Sequence, residues 1–225
     1  MEGFKVEGIP SQETYDWLLH KHYAHRIPSI SYAFGLFDCN ILVGVCTFGT
    51  PSSAPLRSGI LGDEYSNTIL ELNRLCVESN QENITSWFVS KCLKILPKPS
   101  CVVSYADTEQ GHIGTIYQAC NFTYTGLSAK RTDWKIEGME ELHGQTIADM
   151  SRGHENRGKY MRDTFGDKFY LLDRPRKHRY IYFVGNKKEV KAMRSVLKYP
   201  IESYPQGKTK RYDASYQPTT QGVLF

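Results

Sequence analysis

No apolar run in this 225-residue chain approaches the length of a membrane span. The longest, such as ILVGV at residues 41–45, fall far short of the about 20 residues a spanning helix needs. The opening stretch MEGFKVEGIPSQ has no apolar signal segment, so the expectation is a cytoplasmic protein. That makes the glycosylation sequons at Asn83 and Asn121 irrelevant. Closely spaced cysteine pairs are missing as well. The six cysteines stand at 39, 46, 76, 92, 101 and 120, which offers no zinc-ligand spacing. They read as reduced thiols in apolar surroundings. No internal repeat is visible.

What is present describes an ordered α/β protein. With 40% hydrophobic and 12% aromatic residues, the chain has enough apolar material for one sizeable core and is not a disordered sequence. The net charge of +4 hides an asymmetry. Residues 1–150 carry 11 Lys/Arg against 17 Asp/Glu, whereas residues 151–225 carry 17 against 7. A basic C-terminal third on an acidic body is the electrostatic footprint of a polyanion-binding protein, or else a solvated basic surface.

Along the chain, residues 11–23 predict a short helix, with Ser11 as cap and apolar positions 15, 18 and 19. Residues 30–37 and 41–49 read as strands joined by Asp38-Cys39-Asn40, an antiparallel hairpin. The Pro/Ser/Gly-rich stretch 50–67 predicts a long loop that lips a site. Then come a strand at 69–77, a helix at 84–96 ended by Pro97 and Pro99, a strand at 101–106, a short helix at 112–120 and a returning strand. Residues 130–178 are polar and basic, with a short helix around 155–165. A strand at 179–184, a basic helix at 187–197 and an irregular tail from 203 complete the chain.

The segment 69–126 carries the chemistry. Each loop leaving a strand there opens a helix, so two helix N-termini with unpaired N–H groups share one rim, suited to anionic groups. Asn83, Thr85 and Ser86 either cap the first helix or bind a phosphate. Arg74 either pairs with Glu71 or holds a substrate phosphate or a carboxylate. The second strand ends in SYAD, a carboxylate at the C-terminal edge of a central strand, where open sheets place functional groups. Asp107 either caps the following helix or serves as a base assisted by Ser104, with Tyr105 and His112 converging on the same edge. His20, His22 and His25 do not face one point on a helix and are read as surface residues, with no metal predicted.

The helix GHIGTIYQACNF, with Tyr117 followed by Asn121-Phe122, resembles the last block of the GNAT acyltransferases, whose tyrosine lies near the thioester sulfur and can protonate the leaving group. The order strand, loop, helix, strand, helix is similar too. That resemblance implies a mixed, mostly antiparallel sheet flanked by helices, as one domain over 1–202. A basic insertion at 130–178 precedes the last strand, and the tail covers 203–225. It also implies an acyl donor held by Cys76, Val77, Asn83, Thr85 and Ser86. The family's glycine-containing phosphate loop is replaced by NQENITS, which departs from ordinary coenzyme A binding.

ELNRL, the N-ITSWF segment, SYAD, GHIGTIYQACNFTYTG and KHRYIYF together resemble the phage Mom family of DNA adenine modification proteins. The resemblance implies conversion of adenine in double-stranded DNA to its carbamoylmethyl derivative, protecting DNA from restriction inside an infected bacterial host. Roles are implied for Arg74, Ser86, Asp107, Tyr117 and the His22-Tyr23 pair. On this reading Asp107 is the base and Tyr117 the acid. His22, Tyr23, Arg26, Tyr105, His112, Arg157, Arg176, Lys177 and Arg179 meet base or DNA. The donor is either acetyl-CoA, which supplies two carbons but no amide nitrogen, or a glycyl donor such as glycyl-tRNA, which supplies every atom. The alternatives are a GNAT N-acetyltransferase acting on a protein, an aminoacyl-tRNA or a small amine, and a non-catalytic DNA-binding protein on the same scaffold.

Overall fold

The structure, a computed structural model, describes residues 1, 3–51, 53–142 and 144–207. In chain order these form β1 (Phe4–Gly8), β2 (Tyr32–Asp38), β3 (Ile41–Gly49), α1 (Ala54–Leu61), β4 (Ile69–Val77), α2 (Ile84–Ile95), β5 (Ser100–Asp107), α3 (Thr115–Ala119) and β6 (Thr123–Leu127). There follow β7 (Arg131–Ile136), α4 (Gly144–Asp149), α5 (Arg157–Phe165), β8 (Phe169–Arg174), β9 (Lys177–Val184) and α6 (Lys187–Ser195). Two compact units result: Met1–Gly126 with the described residues from His178 to Gly207, and Leu127–Lys177.

Among the described residues the first unit holds a seven-stranded sheet in the order β1-β2-β3-β4-β5-β9-β6. β1 to β4 pair antiparallel, and β4 pairs parallel with β5 from Ile69↔Cys101 to Leu72↔Ser104. The sheet is coated on both faces because its strands alternate apolar residues. Leu70, Leu72, Val102, Ala106 and Tyr180 pack with Phe88, Val89 and Cys92 of α2. Ile69, Cys101, Val103, Ile181 and Phe183 pack with Ile60 of α1 and Met193 of α6. The β2–β3 hairpin turns at Cys39 and Asn40, both at positive φ, the geometry that matches strand twist.

Several elements differ from their sequence reading. No regular helix spans 11–23: a 3₁₀ turn at Ser11–Thr14 is followed by a π-helical stretch at Trp17–Lys21. Ser11 caps nothing, because Pro10 occupies the cap position, and the Thr14 hydroxyl bonds back to the Ser11 carbonyl at 2.6 Å. The loop expected at 50–67 contains α1, whose Pro55 sits in the first turn where a missing N–H costs nothing, and whose start is capped by Ser53. β1 went unread because a five-residue strand gives too short an alternation. Cys39 is the exception among the cysteines, exposed in its turn while the other five are buried.

The second unit pairs β7 with β8 antiparallel, from Arg131↔Arg174 to Ile136↔Phe169. Its small core joins Ile136, Ile147 and Met161. Its two ends are tied: the Ser128 N–H donates to the Lys177 carbonyl at 2.8 Å, and Arg176 donates to the Ser128 and Leu127 carbonyls. Of the irregular tail expected from 203, residues 208–225 lie outside the described residues.

Candidate active site

A cavity of about 550 Å³ opens between β4 and β5. One end is lined by the C-terminal residues of β4 and the start of α2, including Cys76, Val77, Asn83, Thr85 and Ser86. The other end is aromatic, lined by His22, Tyr23, Tyr105, His112 and Tyr117 around Arg74.

The first end owes its shape to Asn83. This residue takes a left-handed conformation, φ 62° and ψ 2°, which Asn tolerates better than most residues. Its side chain caps nothing, and the Ser86 hydroxyl donates back to the Asn83 carbonyl at 3.0 Å. The first turn of α2 therefore presents its N–H groups without a side-chain cap, an arrangement suited to an anionic group. Glu82 also lines the cavity. Cys76 is no nucleophile there: burial pushes its thiol up to about 12, so no thiolate forms near neutral pH.

His22 enters the aromatic end through the π stretch. Its N–H donates to the Trp17 carbonyl at 2.9 Å, five residues back, and the widened turn ends at His22. Contrary to the surface reading, His22 is 5% exposed. Its Nδ1 accepts the Ala24 N–H at 3.1 Å, and its ring stacks on Tyr23 at 4.5 Å between centroids. Burial first, then the charge of Arg74, hold its pKa down at about 3. A histidine that stays neutral when folded but protonates when unfolded, near 6.5, contributes stability that is lost as pH falls from about 6.5 toward 3. The cost is about 1.4 kcal/mol per pH unit. Urea unfolding between pH 7 and 4 should show this slope, and His22→Gln should remove it; a variant with the wild-type slope would refute the assignment.

Arg74 is held, not loose: Nη1 donates to the Asn73 carbonyl at 2.6 Å and Nε to the Arg26 carbonyl at 3.3 Å. Burial lowers its pKa, while Tyr23 and Glu71 work against that fall. Asn73 itself accepts from Thr47 at 2.6 Å and donates to the Ser29 carbonyl at 2.8 Å, locking residues 26–29 against the sheet. Arg26 thus supplies a backbone carbonyl to the site's arginine.

Tyr117 reaches the cavity from α3, its ring packed on Phe122 and Tyr180 at 5.3 Å each. Burial drives its pKa well above the usual phenol value, partly offset by a hydrogen bond with Ser104, so the phenol keeps its proton. Ser104 is fully buried and donates to the Leu72 carbonyl at 3.1 Å. The residue expected to assist Asp107 therefore positions the phenol. Asp107 is 7% exposed and does not line the cavity. Its carboxylate accepts the Glu109 N–H at 3.1 Å and its carbonyl accepts the His112 N–H at 3.0 Å, folding the loop that carries His112. His112 does line the cavity, edge-on to Tyr23 at 6.0 Å, its pKa lowered by burial and raised in part by Asp107.

The residues expected at DNA are placed differently. Arg179 is 8% exposed, donates to Thr125 Oγ1 and its carbonyl at 2.9 and 2.8 Å, and lies 3.4 Å over the Tyr199 ring. It holds β9 to β6 and is turned away from solvent. Arg176 and Lys177 tie the ends of the second unit, while Arg157 donates to Ser151 and to the Ala148 carbonyl. Among the described residues no group of three or more His, Cys, Asp or Glu is arranged to hold a metal, and no helix is long and apolar enough to cross a membrane.

A mixed sheet with β4 and β5 parallel at its centre and a cavity between them defines a GNAT-type α/β fold. The chain belongs to the Mom protein family, which matches residues 3–206. It is 30% identical over 192 residues to the methylcarbamoylase Mom of Escherichia phage Mu, covering 83% of this chain and 77% of that protein. Among solved structures, an N-acetyltransferase of Staphylococcus aureus Mu50 is 11% identical with a TM-score of 0.42, covering 80% of this chain and 98% of that one. A spermidine N-acetyltransferase mutant of Vibrio cholerae is 9% identical with a TM-score of 0.43, covering 81% and 95%. At those scores the fold rests on the strand order alone.

Proposed function

We propose that this protein is a phage DNA modification enzyme that acylates the exocyclic amine of adenine and thereby protects DNA from restriction. With a glycyl donor the amide so formed becomes the carbamoylmethyl base. Its free amine bonds through a five-membered ring to the ring carbon that bears the original nitrogen. The bond from that carbon to the original nitrogen breaks, and that nitrogen is left as the terminal amide. Membership of the Mom family supports this reading. The observation that carries it is one cavity with two chemically different ends, an uncapped helix start and an aromatic wall. The acyl donor supplies the activated carbonyl. The chain supplies a slot for a base swung out of the duplex, since the amine is otherwise held in a base pair.

Tyr23, Tyr105 and the imidazoles offer faces for that base. The amine is a poor nucleophile, because its lone pair is delocalised into the ring. His112, in the cavity and neutral at working pH, takes its proton; Asp107 is the positioning residue that shapes the His112 loop and raises the basicity of the ring. Tyr117 keeps its own proton for the leaving group, and Arg74 holds an anionic group. Activity should therefore rise through the depressed His112 pKa and level off above it. Asp107→Asn should move that acid limb to lower pH, because the carboxylate raises the imidazole pKa. An unshifted profile would remove Asp107 from this role.

Nucleoside mass spectrometry of DNA from cells expressing the chain tests the reading, with modified adenine expected. Unmodified DNA together with acetylated protein or amine would replace it with an N-acetyltransferase. Feeding labelled acetate or nitrogen-labelled glycine decides the donor. Glycine nitrogen in the modified base identifies a glycyl donor such as glycyl-tRNA, whereas acetyl carbon without glycine nitrogen identifies acetyl-CoA and an N-acetylated adenine in place of the carbamoylmethyl base.

A further inference from the structure

We propose that the outer face of α6, built by Lys187, Lys188, Lys191 and Arg194, is the track that holds the phosphate backbone of duplex DNA beside the cavity. The inference rests on the DNA reading above and narrows the contact surface from the basic C-terminal third of the chain to this helix.

Three observations carry it. First, these cations are spaced for one surface. Positions 187, 191 and 194 follow i, i+4, i+7, one stripe of a helix, and all four side chains are exposed. From 187 to 194 the helix rises about 10 Å at about 1.5 Å per residue, the run of about three phosphates of one DNA strand. Second, they are unspent. None of the four forms an ion pair among the described residues, and the helix's one acid, Glu189, is committed to the capping box through the Asn186 N–H at 2.7 Å. The insertion is different: Leu127–Lys177 carries 11 Lys/Arg against 9 Asp/Glu. Its Arg152 and Arg174 are paired with Asp149 and Asp133, its Arg157 and Arg176 are bonded to backbone carbonyls, and its exposed Lys159, Arg162 and Lys168 are interspersed with Asp163 and Asp167 instead of forming an acid-free stripe.

Third, folding does not explain the lysines. Lys187 and Lys188 stand in the first turn of α6, where the helix dipole favours acids and disfavours cations. The buried side of the helix is satisfied by Val190 and Met193 alone. That side also fixes where the track lies. Val190 and Met193 pack in the same cluster as Tyr105, and Tyr105 lines the cavity. α6 therefore lies on the sheet face that carries Tyr105, whereas α2 packs on the other with Leu72, Ala106 and Tyr117.

The test is the triple variant Lys187→Glu, Lys188→Glu, Lys191→Glu in the full chain, with duplex binding followed by fluorescence anisotropy across salt concentrations. Acids in the first turn strengthen the helix, so loss of binding will not come from unfolding, which circular dichroism checks. Arg194 is left in place because it lies over Phe183 at 5.6 Å. We expect at least tenfold weaker binding at moderate salt and a log–log salt slope reduced by about 3, near 0.9 for each phosphate no longer neutralised. An equal charge change on the insertion, Lys159→Glu, Arg162→Glu, Lys168→Glu, should cost much less. Equal losses from both triples, or an unchanged slope in the α6 triple, overturn the proposal. Modified adenine made by an α6 triple that binds like wild type would sink the track and leave the enzymatic reading standing. Wild-type binding that is lost in the α6 triple, with no modified nucleoside from either, would do the reverse.

Discussion

Tyr117→Phe should lower the rate of adenine modification by at least about 100-fold while leaving the protein folded. A positioned proton donor contributes about 10²–10⁴ in rate, and phenylalanine retains the ring contacts with Phe122 and Tyr180. What disappears is one hydroxyl and its bond to Ser104. Ser104 keeps its acceptor, the Leu72 carbonyl, so stability should change by no more than about 1 kcal/mol. Single-turnover assays on duplex DNA with nucleoside mass spectrometry would measure the effect. Modification at the wild-type rate would show that the phenol is a packing residue. Ser104→Ala gives a graded version, because it removes the positioning bond and leaves the donor, and its defect should be smaller.

Gly49→Ala should destabilise the protein by about 3 kcal/mol or more, the upper range for overpacking. A Cβ at this position would stand 1.9 Å from the Ser29 carbonyl oxygen and 2.9 Å from Asn73 Nδ2. The nearer obstacle is backbone, which leaves no flexible side-chain tip to swing aside. The clash falls where residues 26–29 are bonded to Asn73, and Asn73 and Arg74 line the cavity. Activity should therefore fall even at temperatures where the variant remains folded. A variant with the wild-type melting temperature would mean that the 26–31 segment is free to move away from the sheet.

The segment 69–126 was legible in the sequence because α2 keeps a 3.6 period, while β4, in imperfect register, and β5 are short apolar runs bounded by polar loops. The strand at 69–77 and the helix from 84 appear where the pattern placed them. Arg74, Ser86, Tyr105, His112 and Tyr117 do line one cavity. The rest was hidden for physical reasons. α1 is built from residues that usually mark loops, and only its placement of Pro55 and Ser53 makes them helix-starting signals. His22 is aimed by a π turn, and a five-residue hydrogen bond has no periodic signature in so short a stretch. Charge along the sequence pointed to the whole C-terminal third, but charge counts do not record which arginines are spent on carbonyls, as Arg157, Arg176 and Arg179 are. The missing glycine in the loop before α2 is likewise a matter of angle. Asn83 adopts a backbone conformation for which glycine is usually chosen.

The knot of bonds among Leu127, Ser128, Arg176 and Lys177 makes Leu127–Lys177 a cassette. Its two ends are already stapled side by side, so a short turn in its place would join β6 to β9 without disturbing either. The seven-stranded body is then expected to fold without its insert. Whatever Leu127–Lys177 adds to the protein can be deleted, exchanged or grafted as one piece.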